Sequence, residues 1–369
     1  MKKSMLASIA VILLMGMLVL SACGGSSSAG GGTAPASSGG ASSGASGGAA
    51  AGTGTPAAPA FEKQVLKMGT SIFPVNGVHI HYQAMELLKE EIEKATNGLI
   101  EIELYHSGQL GTERDLVEGL ENGTFQLGYV YSVLGTMVED YNIYDMPFLF
   151  KNMDHFAAVS QSDIARDMGK KLEAFNLKYI SQGSASNPFH LSNNVREIHT
   201  VADVNGLKIR AQESPFFLET LSTLGAQAVP MAWGEVYTAL QQGVIDGVTT
   251  IYTGYYTAKV NEVQKYLSEL SIFYSPAWCL ANMDWWNSLP EEIQQQIQEG
   301  ADKAMVRHYA DNVKQDGEMK DLVKDSMIIT EPADIDMQGF IDAVQPMYVK
   351  YDGQYGDLLN AIKAMGDNL

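Results

Sequence analysis

Twice in this chain a helix runs out, a glycine follows, and a strand begins at the same spacing. The two stretches are LENGTFQL (120–127) and LQQGVIDG (240–247). A glycine at a helix C-terminus can take the left-handed conformation that stops the helix and turns the chain back toward a sheet. Around the first copy, 64–70 alternates as a strand, 80–95 sets Ile80, Ala84, Leu87, Leu88 and Ile92 at helical spacing, and 99–105 alternates again. Thr112 with Asp115 reads as a capping box for a helix through Leu120, and 125–131 is the next strand. Around the second copy, 226–231 reads as strand, 234–242 as helix and 244–251 as strand. Such alternation calls for a mostly parallel sheet covered by helices on both faces. Two copies, far apart, predict two α/β half-sheets rather than a solenoid.

The N-terminus sets the compartment. Lys2 and Lys3 precede an apolar run over 5–20 that closes in Leu20, Ser21, Ala22 and Cys23. That run is short for a spanning helix and ends in small residues suited to cleavage, so 1–22 reads as a signal peptide. The cysteine at its boundary resembles a bacterial lipoprotein signal, which makes Cys23 the expected lipidated first residue of the mature chain. Residues 24–60 are almost wholly Gly, Ser, Ala, Thr and Pro, without a charge. A segment of that composition cannot bury enough surface to offset its ordering entropy, and its coil span is about 35 Å. The expectation is a body, 61–369, tethered outside the cytoplasm to the cell membrane by lipid. Cys279, in the apolar run PAWCL, is expected to be a core thiol.

The net charge of −19 argues against nucleic acid, which wants a basic face. It also means that an anionic ligand must be held by a local cation against an unfavourable field. The chain has five arginines, and Arg210 ends a short apolar strand just before the helix-start signals Ser214 and Pro215. A guanidinium there matches both oxygens of a carboxylate, although it would serve equally in a structural salt bridge. No G-x-S-x-G, H-E-x-x-H, C-x-x-C or phosphate-loop pattern occurs. His79 and His81 are the nearest approach to a metal pair, but no third ligand lies at suitable spacing, so neither a metal nor a cofactor is expected. The pair reads instead as a loop or helix start near the cleft. Aromatic residues gather near strand ends, at Tyr129, Tyr131, Trp233, Tyr237, Tyr252, Tyr255, Tyr256, Trp278, Trp285 and Trp286. Aromatics with one fixed cation suit a small amphipathic acid, though each alone is more commonly core. From 290 the pattern turns helical, with apolar residues at 293, 297, 301, 304, 305 and 309, and further helices over about 334–350 and 356–365.

Several ordered blocks carry a family resemblance: GLKIR (206–210), LGA (224–226), Pro230 with Met231, EVYxALQ (235–241) and GVIDG (243–247). TNG (96–98), SGQLG (107–111), PFLF (147–150), EVQKY (262–266) and SLPE (288–291) support it. These resemble the extracytoplasmic solute receptors of tripartite ATP-independent periplasmic (TRAP) transporters, the DctP family, over nearly all of 64–350. The resemblance implies an α/β two-lobe periplasmic-binding-protein fold with a long helix spanning the lobes and a ligand cleft between them. Lobe 1 would hold about 64–183 plus part of 266–290, lobe 2 about 184–265, and the C-terminal helices about 290–369. It implies that Arg210 is the carboxylate-binding arginine and Trp233 the aromatic wall. The position after the Asp246-Gly247 pair that is often Asn is here Thr250. A first-lobe acidic position that meets a polar sugar falls near Tyr131, and the segment that carries a second arginine in sialate receptors, 187–190, has none and includes Phe189. These departures disfavour sialic acid and favour a less polar acid covered by aromatics. Arg210, Trp233, Thr250, Tyr131, Phe189, His79 and Tyr237 are therefore the expected ligand-binding residues.

The implied function is capture of a small organic acid by cleft closure, and its delivery to the small and large TRAP membrane subunits, with no chemistry performed. Two alternatives remain open from sequence. One is a ligand-sensing lipoprotein for a membrane kinase. The other is an α/β hydrolase or lyase, for which the candidates Glu235 and Asp246 look structural.

Overall fold

The computed structural model describes residues 61–72, 80–131, 133–184, 187–367 and 369. Numbered along the chain, the strands are β1 (Gln64–Gly69), β2 (Ile100–Tyr105), β3 (Leu127–Val130), β4 (Leu177–Ser184), β5 (His190–Asn193) and β6 (Lys208–Ala211). They continue as β7 (Gln227–Pro230), β8 (Gly247–Thr250), β9 (Tyr266–Ser268), β10 (Pro276–Asn282) and β11 (Ile328–Thr330). Two sheets result, in the orders β2-β1-β3-β10-β4 and β11-β9-β5-β8-β6-β7. In the first, β1 is parallel to β2 and β3, and β10 is antiparallel to β3 and β4. In the second, β6 is parallel to β7 and β8, and β5 is antiparallel to β8 and β9.

The two half-sheets read from sequence therefore correspond strand for strand: β2-β1-β3-β10 matches β7-β6-β8-β5. Gly123 and Gly243 both hold φ at +68°. Each donates its N–H to the leucine three residues back, Leu120 or Leu240, at 3.1 Å, and the next residue bonds the carbonyl five back. Only glycine takes this backbone at no steric cost, so the same punctuation starts β3 and β8. The Thr112–Asp115 capping box is formed as the sequence predicts.

The chain crosses between the sheets after β4 and again after β9. The two crossings are tied together, because Phe189 N donates to Phe273 O at 2.9 Å and Ile272 N to Phe189 O at 3.0 Å. A third connection is the long helix Glu291–Val323. Its residues Ile293, Ile297, Ala301, Ala304, Met305 and Tyr309 join the first lobe's core, and Met319 and Val323 join a core of the second. Between Tyr309 and Met319 the buried residues are polar, Asn312 and Gln315, and His308 is buried just before them. The helix is thus apolar where it grips each lobe and polar where it spans them. Its first half lies hard against the helix Ile80–Ala95, where a Cβ on Gly300 would sit 2.7 Å from Glu91 O. Its second half is fixed by Lys320, whose ammonium reaches Glu269 at 2.7 Å and Glu331 at 2.9 Å.

The C-terminal region departs from the sequence reading in two ways. The helices expected over 334–350 and 356–365 are Met337–Ala343 and Gln345–Gly366. Pro346 opens the second, as proline in a first helical turn commonly does. That helix runs through Gly353 and Gly356 because Tyr355, Leu359 and Ile362 are buried in the first lobe's core. Strand β11 also lies in this span and pairs with β9. Three residues after a long helix leave too little periodicity to read. Cys279 is fully buried in β10, as expected of a core thiol, and burial pushes its pKa up to about 12.

Candidate ligand-binding site

Strand β6, KIRA, lies between β7 and β8, with Arg210 in register with Val229 and Val248. Alternation along the strand sends Ile209 and Ala211 into one core of the second lobe and Arg210 to the opposite face, near the strand's carboxyl end. Ligands bind beyond such ends in open α/β sheets. Arg210 is 5% exposed. Its Nε donates to Met231 O at 2.9 Å, and its guanidinium carbon lies 5.3 Å from the centre of the Trp233 ring. Among the described residues no carboxylate pairs with it and its terminal amino groups make no hydrogen bond, whereas Arg307 bonds Glu90 at 3.0 Å and also Glu91. Burial lowers the Arg210 pKa to about 10, with Glu213 acting in the other direction, so the group remains a cation at neutral pH. A buried charge without a partner is costly. The salt-bridge reading of Arg210 is therefore not realised in the fold.

The other expected residues fall into three groups. Trp233 opens the short turn Trp233–Glu235, and Tyr237 follows in the helix Val236–Gln241, both half-buried. Thr250 ends β8 two residues past Val248, on the same face as Arg210, and is 6% exposed. On the first lobe, Tyr131 lies just past β3, and its hydroxyl is 2.6 Å from Ser71 Oγ, just past β1. Glu113 holds the turn by accepting from the N–H groups of Tyr131 (2.6 Å) and Val133 (3.2 Å).

Phe189 does not join them. It packs edge-on against Phe217 and Phe273 in the second lobe's core. The hydrogen-bonded crossing fixes it there. Several of the strand-end aromatics are also core: Tyr129, Tyr252, Tyr255, Trp278 and Trp286. His81 lies in the first turn of the helix Ile80–Ala95, and His79 and Cys23 lie outside the described residues.

Sequence reasoning missed Asp145. It ends the 3-10 segment Glu139–Asp145, is 6% exposed, and accepts from Ser214 Oγ at 2.7 Å and from Ser275. Ser214 follows Arg210 on the second lobe, and Asp145 shares a cavity of about 10 Å³ with Tyr131 and Trp278. This bond therefore brings the strand ends of the two lobes together. The signal was present, since Asp145 is the one charge in the apolar run NIYDMPFLF.

Two mixed sheets with corresponding strand orders, joined by two crossings and a long helix, with a buried cation at a strand end, are the architecture of a two-lobe solute receptor. The chain belongs to the bacterial extracellular solute-binding protein family 7, DctP, whose model matches residues 75–354. A solute-binding protein of Verminephrobacter eiseniae is 31% identical over 279 residues, 74% of this chain and 81% of that protein. A TRAP periplasmic solute-binding protein of Polaromonas sp. JS666, solved bound to D-erythronate, is 30% identical with TM-score 0.74, covering 82% of this chain and 99% of that one. One from Chromohalobacter salexigens with bound D-glucuronate is 26% identical with TM-score 0.75, covering 82% and 100%. The family is one of binding proteins, so the hydrolase or lyase alternative falls away.

Burial raises the Asp145 pKa to about 7, with the Ser214 and Ser275 hydrogen bonds opposing. The folded state then holds a proton that the unfolded chain releases near pH 4. Asp145 should therefore cost no stability below about pH 4 and the full amount, on the order of 4 kcal/mol at most, above about pH 7. In urea unfolding, wild-type stability should fall relative to Asp145→Asn as pH rises from 4 to 7. A constant difference between the two proteins across that window would refute the assignment.

Proposed function

We propose that this protein captures a small hydroxylated monocarboxylic acid at Arg210 and presents it to the membrane subunits of a TRAP transporter. The observation that carries the reading is the buried guanidinium whose terminal amino groups make no hydrogen bond among the described residues. A carboxylate is the ligand that satisfies both at once, through two parallel charge-assisted hydrogen bonds. Trp233 covers the guanidinium face and keeps water from it, which strengthens the pair. Thr250 and Tyr237 complete the second lobe's wall. From the first lobe, the Ser71–Tyr131 hydroxyl pair would meet ligand hydroxyls as the lobes close about their crossings.

The ligand reading is more polar than the aromatic-covered acid expected from sequence. Phe189 and five strand-end aromatics are core, which leaves hydroxyls and few rings for the ligand. The relatives solved with D-erythronate and D-glucuronate are consistent with this choice. Lipid attachment at Cys23, with 24–60 as tether, would keep the receptor near its transporter. A Cys23→Ser variant made in a bacterial host should leave the membrane fraction for the soluble extracytoplasmic one, and persistence in the membrane would count against the anchor.

Calorimetric titration with four- to six-carbon aldonates and uronates tests the site. The best ligand should bind Arg210→Lys at least tenfold more weakly, and Arg210→Ala about a hundredfold or more, since breaking a desolvated charge pair costs about 2–5 kcal/mol. Equal affinity for wild type and Arg210→Ala would remove Arg210 from the site.

A further inference from the structure

A second concavity lies away from the strand ends that hold Arg210. It is about 460 Å³ in volume and runs beside β4, the outermost strand of the first sheet, with the helix Asp163–Lys170 and the long helix forming its walls. That volume falls in the range of small-molecule sites. An exposed strand edge can also accept an added peptide strand, but this one is closed to it. Gln298 Nε2 donates to Ile180 O at 2.8 Å, and Tyr309 OH donates to Gln182 O at 3.3 Å, so carbonyls that an added strand would need are already engaged. The cavity is therefore lined for a small molecule rather than a peptide.

Its floor is buried and polar. Ser160, Ser181 and Gln182 are each 3% exposed or less, and Gln182 Nε2 donates to Ser160 Oγ at 2.8 Å. Among the described residues Ser181 Oγ and Gln182 Oε1 have no close hydrogen-bond partner; the nearest polar groups are the Cys279 thiol for Ser181 and the Tyr144 hydroxyl for Gln182, on opposite faces of β4. Buried polar atoms of this kind call for a partner. The rim is charged with both signs. Lys170 is engaged by Asp167 at 2.7 Å, Arg166 donates to Gln161 O at 3.0 Å and lies 3.9 Å from Asp163, and Asp302 accepts from Gln298 at 2.9 Å. Lys178 stands over the Trp286 ring, 5.5 Å from its centre, with no carboxylate paired to it among the described residues, and Glu173 has no cation paired to it. Tyr179 and Met305 supply the apolar surface between rim and floor.

A simple anion would be repelled by Glu173 and a simple cation by Lys178. A molecule carrying both charges answers both. We propose that this cavity is a second ligand site, distinct from the Arg210 cleft, and that it takes a polar α-amino acid. The carboxylate meets Lys178, the ammonium meets Glu173, and an amide or hydroxyl side chain reaches toward the Ser160–Gln182 pair. The site does not depend on the organic-acid reading of the cleft.

The test uses mature protein with ¹³C-methyl methionine, the Met305 resonance being assigned by Met305→Leu. L-glutamine, L-asparagine and L-serine are titrated to about 10 mM, a range that detects millimolar binding. At least one should shift the Met305 methyl saturably, and equally in wild type and in Arg210→Ala. Glutarate, which lacks the ammonium, should not. Lys178→Glu, a surface change that leaves the floor intact, should weaken the titration about tenfold, the loss of one partly exposed charge-assisted contact. No shift with any of the three amino acids would overturn the proposal. So would a shift lost in Arg210→Ala, matched by glutarate, or indifferent to Lys178→Glu.

Discussion

The account turns on one buried charge. Arg210 stands on the central strand of a parallel trio, nearly inaccessible to water, with one carbonyl and one indole ring for company. Placing a guanidinium there works against stability, because its hydration is lost and no carboxylate of the described chain replaces it. The rest of the second lobe makes that position unavoidable. Apolar neighbours fix Ile209 and Ala211 on one face, and strand alternation then commits Arg210 to the other. The fold holds the cation in the orientation that a ligand carboxylate requires, so little reorganisation remains for binding to supply.

The same economy governs the joints between the lobes. Among the described residues, two strand crossings bonded to each other and the long helix carry the chain from sheet to sheet, and the helix Gln345–Gly366 returns it from β11 to the first lobe's core. The long helix is apolar against each lobe and polar between them, with Asn312 and Gln315 buried in the span. A rigid apolar interface at that point would resist relative motion, whereas small polar contacts can be exchanged. Asp145, bonded to Ser214 across the lobes and to Ser275 on the second crossing, places a titratable group at the same junction.

Much of the architecture was legible in sequence because it is written in strong local signals. The paired helix–glycine–strand units, the Thr112–Asp115 box and the apolar spacing of the long helix all act within a few residues, and each appears in the fold. What could not be read depends on contacts between distant segments. Phe189 looks like a cleft residue until the bonds to Ile272 and Phe273 fix it in a core. Strand β11 is three residues long, and the helix Gln345–Gly366 runs through the gap expected between 350 and 356 because Tyr355 and Leu359 are buried. Within the site, Arg210 and Trp233 stood out through residue type and the family pattern. Ser71, Ser214 and Ser275 carry no pattern of their own and acquire meaning only where the two lobes bring them to Tyr131 and Asp145.

The most direct test of the central claim is the stability of Arg210→Met, which keeps the side chain's length and removes its charge, measured by urea unfolding with and without the cleft ligand. If Arg210 is a buried cation held for a carboxylate, the ligand-free variant should be more stable than ligand-free wild type, and added ligand should leave its unfolding midpoint unchanged. A ligand-free variant less stable than wild type, together with a full ligand-dependent increase in midpoint, would contradict the account.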